Sequence, residues 1–245
     1  MSMLVDNTDG DYLSYASPFD HNAAYTVMLW AYLTQDTNDY GHFFHVGGTY
    51  GYDGNGDAIG YDVDGVTFRL TSAGGTVSSF NTGTALALNT WYHLAMVRSS
   101  ATALTAYIDS VLDITASASD VSGRTASANA HVGNYNVFYP AAARHAGLKI
   151  WTAALTTDEI KAESYSFMPQ RWSNLWGCYP LFDHTNPHID YSGNARDMTV
   201  NGTFTTNDNP PIAVFPSWEV PGWQGNYTAA VGGGGGNPWY AYAQQ

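Results

Sequence analysis

Short apolar runs, separated by clusters of Gly, Asn, Asp and Ser, recur along most of the chain. The run Tyr25–Leu33 is apolar on both of its alternating faces, which is typical of a central strand covered on both sides. Residues 91–97 show the same pattern, and residues 104–108 and 111–114 follow as hairpin partners after short turns. The pattern predicts an all-β fold of many short strands.

One short helix is predicted to start after residue 156. Thr156 can cap its first turn, and Glu159, three residues later, completes a capping box. Glu159 and Glu163 lie four residues apart on this helix, with Lys161 beside them. We expect them to be surface charges rather than a catalytic carboxylate pair.

The character of the sequence changes at residue 210. Residues 210–245 contain repeated Pro, a run of five Gly and isolated aromatic residues, which predicts an extended arm. Because aromatic side chains are unfavourable in water, we expect the arm to dock on its own domain or on a neighbouring subunit rather than to remain a loose tail. The assembly contacts are assigned to Phe215, Trp218, Trp223, Trp239 and Tyr240.

Composition and charge limit the partners. The 245 residues suffice for one domain, residues 1–209, followed by the arm. A net charge of -13 repels phosphate backbones and anionic lipid, so neither nucleic acid nor a membrane is an expected partner. No secretion signal or membrane-spanning run is visible, and the single cysteine, Cys178, is expected to be a buried apolar residue.

An ordered series of segments resembles the laminin-G-like family of the concanavalin A-like superfamily. The segments are Tyr12 to Ser14, Tyr25 to Trp30, Trp91 to Val97 with Ala106 to Asp109, His131 to Asn134, and Gly147 to Thr156 leading into Asp158 to Ile160. The resemblance implies a two-sheet antiparallel jelly-roll β-sandwich with one short helix.

One part of the family pattern stands in an unusual place. A strand followed by an Asp-x-Ser-Gly-Asn turn commonly opens the family, whereas here it lies in residues 174–205, with the turn at Asp190 to Asn194. The chain therefore resembles a circularly permuted member in which residues 174–205 supply the edge strands. The alternative is the start of a second, truncated copy.

The catalytic pattern of the superfamily is missing. Its glucanases use a Glu-x-Asp-x-x-Glu strand, because glycoside hydrolysis needs paired carboxylates. The three Glu of this chain, Glu159, Glu163 and Glu219, do not form that pattern. The prediction is a protein that is not an enzyme, and a hydrolase with an Asp-based site is the remote alternative.

Calcium is the cofactor that the sequence could accommodate, although none is required. Asp53, Asn55, Asp57 and Asp64 occupy the first, third, fifth and twelfth places of a calcium-loop pattern, yet its sixth position is Ala58 instead of Gly. A hairpin loop explains the same residues. A second set is Asp183, Asp190 and Asn194. The pairs His42/His45 and His184/His188 are not expected to converge on a transition metal.

Exposed aromatic residues are the expected means of binding sugar in this fold, by stacking on sugar rings. Tyr50, Tyr52 and Tyr61 lie among Gly and Asp, so we expect them to be exposed, and Trp30 is a further candidate. For any one of these residues taken singly, packing in the core is the more usual role, and the cluster of three tyrosines is the preferred sugar-binding candidate.

The favoured function is a non-catalytic structural and binding protein of a phage virion surface, either a capsid decoration or a tail protein, synthesised in the host cytoplasm. Its partners would be virion proteins or identical subunits held through the arm. This interpretation rests partly on analogy with phage structural proteins of the same family. The alternative is a glycan-binding lectin or carbohydrate-binding module, which could also be extracellular.

Overall fold

The structure is a computed structural model that describes residues 2–5, 11–16, 19–34, 41–46, 56–61, 67–73, 77–117, 129–133, 143–181, 187–208 and 210–212. In these ranges the chain forms fifteen strands and one helix, α1 (Thr157–Ser164). The strands are β1 (Ser2–Val5), β2 (Tyr12–Ala16), β3 (Tyr25–Leu33), β4 (Gly41–Val46), β5 (Asp57–Tyr61), β6 (Thr67–Ala73), β7 (Val77–Ala85), β8 (Trp91–Arg98), β9 (Ala103–Ile108), β10 (Val111–Ser117), β11 (Asn129–Gly133), β12 (Ala143–Trp151), β13 (Leu175–Tyr179), β14 (Thr199–Asn201) and β15 (Thr205–Asn207).

The strands form two antiparallel sheets. Sheet A has the order β10-β9-β8-β3-β12-β1-β15, and β13 pairs with the C-terminal half of β12. Sheet B has the order β14-β2-β11-β4-β5-β6-β7. Two antiparallel sheets with a shared core and a single described helix confirm the predicted jelly-roll sandwich.

The main core lies between the sheets, and β3 shows how the sequence builds it. Tyr25, Val27 and Leu29 point into the inter-sheet core, while Met28 on the opposite face joins a second apolar cluster that includes Ile160 of α1. Both faces of this strand are therefore covered, as its continuous apolar sequence predicts. The partner β8 lies beside it, with Leu29 opposite Leu94.

Helix α1 begins with the predicted capping box. The Thr156 hydroxyl accepts a hydrogen bond from the Glu159 backbone N–H, and the Glu159 carboxylate accepts one from the Thr156 backbone N–H. At eight residues the helix is short, and within the ranges given above no helix is long and apolar enough to cross a membrane.

Strands from the beginning of the chain pair with strands from residues 199–207 in both sheets. In sheet A, β1 lies between β12 and β15, and in sheet B, β14 pairs with β2 at one edge. The Asp11 carboxylate accepts a hydrogen bond from the Thr203 backbone N–H at 2.8 Å beside this edge. The segment 174–205 thus contributes β13 to sheet A and β14 to sheet B, while a permuted order relative to the family stays a prediction.

Candidate ligand-binding surface

The outer face of sheet A is half covered by α1 and the segment that follows it. Lys149 of β12 donates from Nζ to Glu163 Oε2 at 2.7 Å and to the backbone oxygens of Glu163 and Ser166. The other carboxylate oxygen of Glu163 accepts from the backbone N–H groups of Gln170 and Arg171. Glu163 is therefore buried, and the expectation that it is a surface charge was wrong, because the partner that compensates for its burial lies on a different element.

Beneath this cover lies the single cysteine. Cys178 belongs to the second apolar cluster, as the sequence predicts for a buried residue. Burial raises the pKa of its thiol to about 12, so the reactive thiolate is not formed at neutral pH.

The other half of the same face carries four partly exposed side chains, Trp30, Tyr32, Trp91 and Arg144, which we call the aromatic surface. The pairing of β3 with β8 and β12 brings them together: Tyr32 lies opposite Trp91 on one side and opposite Arg144 on the other. The ring centroids of Tyr32 and Trp91 are 5.3 Å apart. The guanidinium carbon of Arg144 lies 4.4 Å from the centroid of the Tyr32 ring, a cation–π contact.

Trp30 extends the aromatic surface by one row. It lies opposite His93 of β8 and Ala146 of β12, and its ring centroid is 5.4 Å from that of His93. Trp30 and Trp91 also pack against a small buried cluster of Ala146, Phe167 and Ile212. This packing holds the two indole rings in place without burying them.

The buried His93, which contacts Trp30, is uncharged. Burial lowers the pKa of its imidazole to about 3, so the ring carries no charge at neutral pH. Its Nδ1 atom is buried and has no hydrogen-bond partner in the described part of the chain. Its backbone N–H donates to Asp109 Oδ1 at 2.8 Å, which fixes the strand end that carries it.

Of the four residues predicted to bind sugar, only Trp30 lies on a partly exposed surface that the structure describes. Tyr61 is 1% exposed and packs in the inter-sheet core, with its ring centroid 5.8 Å from that of Phe43. The expectation of an exposed ring at Tyr61 is therefore corrected, because its side chain points inward from β5. Tyr50 and Tyr52 lie outside the described residues.

One residue of the predicted calcium loop, Asp57, lies in the core. Asp57 is fully buried, and its two carboxylate oxygens accept hydrogen bonds from Nη2 and Nε of Arg98 at 2.7 and 3.0 Å. The Tyr25 hydroxyl donates to the same carboxylate at 2.6 Å. With these donors around it, Asp57 is a core ion-pair partner rather than a loop ligand. Asp53, Asn55 and Asp64 lie outside the described residues.

The second predicted calcium set is also engaged in internal hydrogen bonds. The Asp190 carboxylate accepts from the backbone N–H groups of Cys178, Ser192 and Arg196 and from the Ser192 hydroxyl. The side-chain amide of Asn194 donates to the backbone oxygen of Leu175. Asp183 lies outside the described residues, and among those described no group of three His, Cys, Asp or Glu could hold a metal ion.

On the outer face of sheet B, three histidines come together. His45 of β4 stacks on His131 of β11 with centroids 5.7 Å apart and an angle of 9° between the rings, and His42 lies 6.0 Å from His45. Burial lowers the pKa of His131 to about 4 and that of His45 well below its usual value. Sequence spacing did not reveal this cluster, because the strand pairing supplies His131.

The arm is described only where it begins. Pro210 and Ile212 are buried, and Ile212 packs beside the aromatic surface. The five residues predicted to make assembly contacts, Phe215, Trp218, Trp223, Trp239 and Tyr240, lie outside the described residues.

Comparison with known structures agrees with this architecture. A protein of Bacteroides ovatus, described as a candidate carbohydrate-binding protein, superposes with a TM-score of 0.63 at 16% identity, over 85% of this chain and 60% of that one. This chain therefore spans only about 60% of that protein's length. The CBM40 domain of the Ruminococcus gnavus IT-sialidase, solved with α2,3-sialyllactose, superposes with a TM-score of 0.50 at 14% identity, over 66% of this chain and 95% of that one.

At these identities the superpositions show the fold alone. No curated protein matches the sequence. The laminin-G family model described as the concanavalin A-like lectin/glucanases superfamily matches residues 6–161, well over half of the chain. The chain therefore belongs to the laminin-G-like family of the concanavalin A-like lectin and glucanase superfamily.

Proposed function

We propose that this protein is a non-catalytic carbohydrate-binding domain that holds glycans on the aromatic surface. The observation that carries the proposal is the row of Trp91, Tyr32 and Arg144 beside Trp30, all partly exposed on the outer face of sheet A. Flat aromatic rings bury the apolar faces of sugar rings at low conformational cost, while a guanidinium supplies directed donors to their oxygens. Both similar structures are described as carbohydrate-binding, which supports the same proposal.

The acidic residues of the helix region support binding rather than hydrolysis. The Glu159 carboxylate accepts hydrogen bonds at the start of α1 and from Arg171, and the Glu163 carboxylate holds Lys149. Hydrolysis would require two carboxylates on either side of one glycosidic bond. Neither Glu lies on the aromatic surface.

Replacing Trp91 with alanine is expected to weaken glycan binding by about tenfold or more, since an aromatic anchor in a binding surface contributes about 1.4 kcal/mol or more. Trp91→Phe should retain most of the affinity because it keeps a flat ring. A glycan array would identify the ligand, and calorimetry would then give its Kd for each variant.

Trp172 provides the matched control. It is 36% exposed and lies in the segment that follows α1, and it is not one of the four residues of the aromatic surface. Trp172→Ala should leave the Kd unchanged. Equal losses for Trp91→Ala and Trp172→Ala, or no loss for either, would show that the aromatic surface is not the binding site.

We further propose that the domain is displayed on a phage virion, as a capsid decoration or tail protein, and that residues 210–245 join it to neighbouring subunits. The buried Ile212 supports this proposal, because it fixes the start of the arm against sheet A and so limits where the following aromatic residues can reach. Glycan binding and display on a particle are compatible, since a virion can adhere to host sugars.

The buried Ile212 also determines where the chain should be shortened in order to test the role of the arm. A chain that ends at Asn209 would lose part of the cluster with Ala146 and Phe167, whereas one that ends at Ile212 keeps it. We expect the full chain to form oligomers and the chain ending at Ile212 to be a folded monomer, as measured by light scattering with circular dichroism as the folding check. Equal masses for the two chains would refute assembly through the arm.

A further inference from the structure

Arg144 has an unusual environment for a guanidinium that packs against a sheet. Its side chain is 18% exposed and lies over the Tyr32 ring, and its Nε atom is buried without a hydrogen-bond partner among the described residues. The carboxylate that the structure places beside it is Asp208 Oδ2, 3.9 Å from Nη1, which is too long for a hydrogen bond. The side chain of Asp208 is 97% exposed, so water screens this contact.

Three other described arginines are held differently. Arg98 donates to Asp57, Arg171 donates to Glu159 at 2.8 Å, and Arg196 donates to the backbone oxygen of Trp176 at 2.6 Å. Each of these guanidinium groups thus has an oxygen at close range that accepts its hydrogen bond. Arg144 has no comparable hydrogen bond in the described part of the chain, although unsatisfied guanidinium donors are unfavourable. Because its side chain keeps 18% exposure and Nη1 faces the exposed Asp208, a ligand could supply the missing acceptor at the terminal nitrogens.

The surroundings of Arg144 indicate which chemical group could act as that acceptor. The Tyr32 ring covers one side of the guanidinium and so excludes part of the water around it. A planar fork of N–H donors in such a setting matches a carboxylate, which can accept two parallel hydrogen bonds. A neutral hydroxyl would satisfy only one donor and leave the charge without a partner.

We propose that the aromatic surface selects carboxylated saccharides, glycans that carry a uronic or sialic acid residue, and that Arg144 receives their carboxylate. The inference rests on the proposed function, and it adds the class of sugar. The protein as a whole carries a net charge of -13, so its general field opposes an acidic ligand and the local attraction must come from Arg144. Asp208 acts as a weak internal competitor for the same guanidinium.

The test uses an array in which each carboxylated glycan is printed beside its carboxyl-reduced, neutral form. The full chain should prefer the carboxylated member of a pair by about tenfold or more, and Arg144→Gln should lose that preference. Arg144→Lys should keep part of it, because an ammonium retains the charge but not the fork. The preference should also fall as the salt concentration rises.

Two further variants separate the local contact from overall charge. Asp208→Asn removes the competitor and should raise the affinity for the carboxylated member by about two- to fivefold, with no change for the neutral member. Lys161→Gln removes the same charge as Arg144→Gln from the exposed face of α1, and should leave the preference unchanged.

The outcomes distinguish this inference from the proposed function. If both members of each pair bind equally, and Arg144→Gln changes nothing while Trp91→Ala abolishes binding, the carboxylate inference is overturned and glycan binding stands. An equal loss of preference in Lys161→Gln would likewise overturn it. If no glycan of either kind binds, both proposals fail.

Discussion

Replacing Asp57 with alanine is expected to lower the free energy of unfolding by about 3–5 kcal/mol, because it leaves the charge of Arg98 buried without its partner. The ion pair joins β5 of sheet B to β8 of sheet A across the core, and both side chains have 0% exposure. Two hydrogen bonds from Arg98 and one from the Tyr25 hydroxyl end on this carboxylate. Urea unfolding at neutral pH would measure the loss.

The control for this prediction is Asp208→Ala. It removes the same side chain and charge at a carboxylate that is 97% exposed and 3.9 Å from its partner Arg144, and should cost less than about 1 kcal/mol. The double variant Asp57→Ala with Arg98→Met should recover part of the loss, since it removes both charges. A loss below about 1 kcal/mol for Asp57→Ala alone would mean that the pair makes no net contribution to stability.

The second large effect is expected in mild acid. Burial lowers the pKa of His93 to about 3 and those of His131 and His145 to about 4, whereas in the unfolded chain each imidazole titrates near about 6.5. Below about pH 6.5 the unfolded state therefore binds protons that the folded state does not, and stability falls as the pH falls towards about 4. At pH 5 each of the three contributes a loss of about 2 kcal/mol relative to neutral pH.

His145→Leu isolates one of these contributions. His145 of β12 is fully buried, and its ring centroid lies 5.8 Å from that of Phe43, so an apolar residue of similar volume suits the site. The variant should lose about 2 kcal/mol less than the parent between pH 7 and pH 5, as followed by urea unfolding at each pH. Parallel stability profiles for the two proteins would contradict the burial argument for His145.

The sequence predicted the elements whose signals are local. The apolar run of β3 requires cover on both faces wherever the strand lies, and the Thr156/Glu159 capping box depends on residues three apart. The family resemblance then supplied the order of the strands. These predictions needed no knowledge of which distant residues meet.

The errors at Tyr61 and Asp57 have one cause. Their surroundings in the sequence, rich in Gly and Asp, were interpreted as loop composition, although Asp57, Ile59 and Tyr61 alternate with Ala58 and Gly60. That alternation was a usable sign of a strand with one buried face. The partner of Asp57 could not be predicted in the same way, because Arg98 lies 41 residues away and is placed by sheet packing.

The candidate site could likewise be predicted only in part, because strand pairing brings its residues together. Trp30 could be selected as an aromatic residue of a central strand, and Tyr32 shares its face two residues later. Trp91 and Arg144 join them only through the registers of β8 and β12 on β3. A register is a property of paired strands, and one unaligned sequence contains no direct record of it.

The joining of early and late segments in both sheets has a consequence for the order of folding. Asp11 and Thr203, which are 192 residues apart, meet beside the pairing of β2 with β14, and β15 completes sheet A next to β1. During synthesis, the edges of β1 and β2 that pair with β15 and β14 therefore stay unpaired until nearly the whole described chain has left the ribosome. Such long-range closure makes folding slow and exposes strand edges to wrong partners, so high expression temperatures should favour aggregation over the native sandwich.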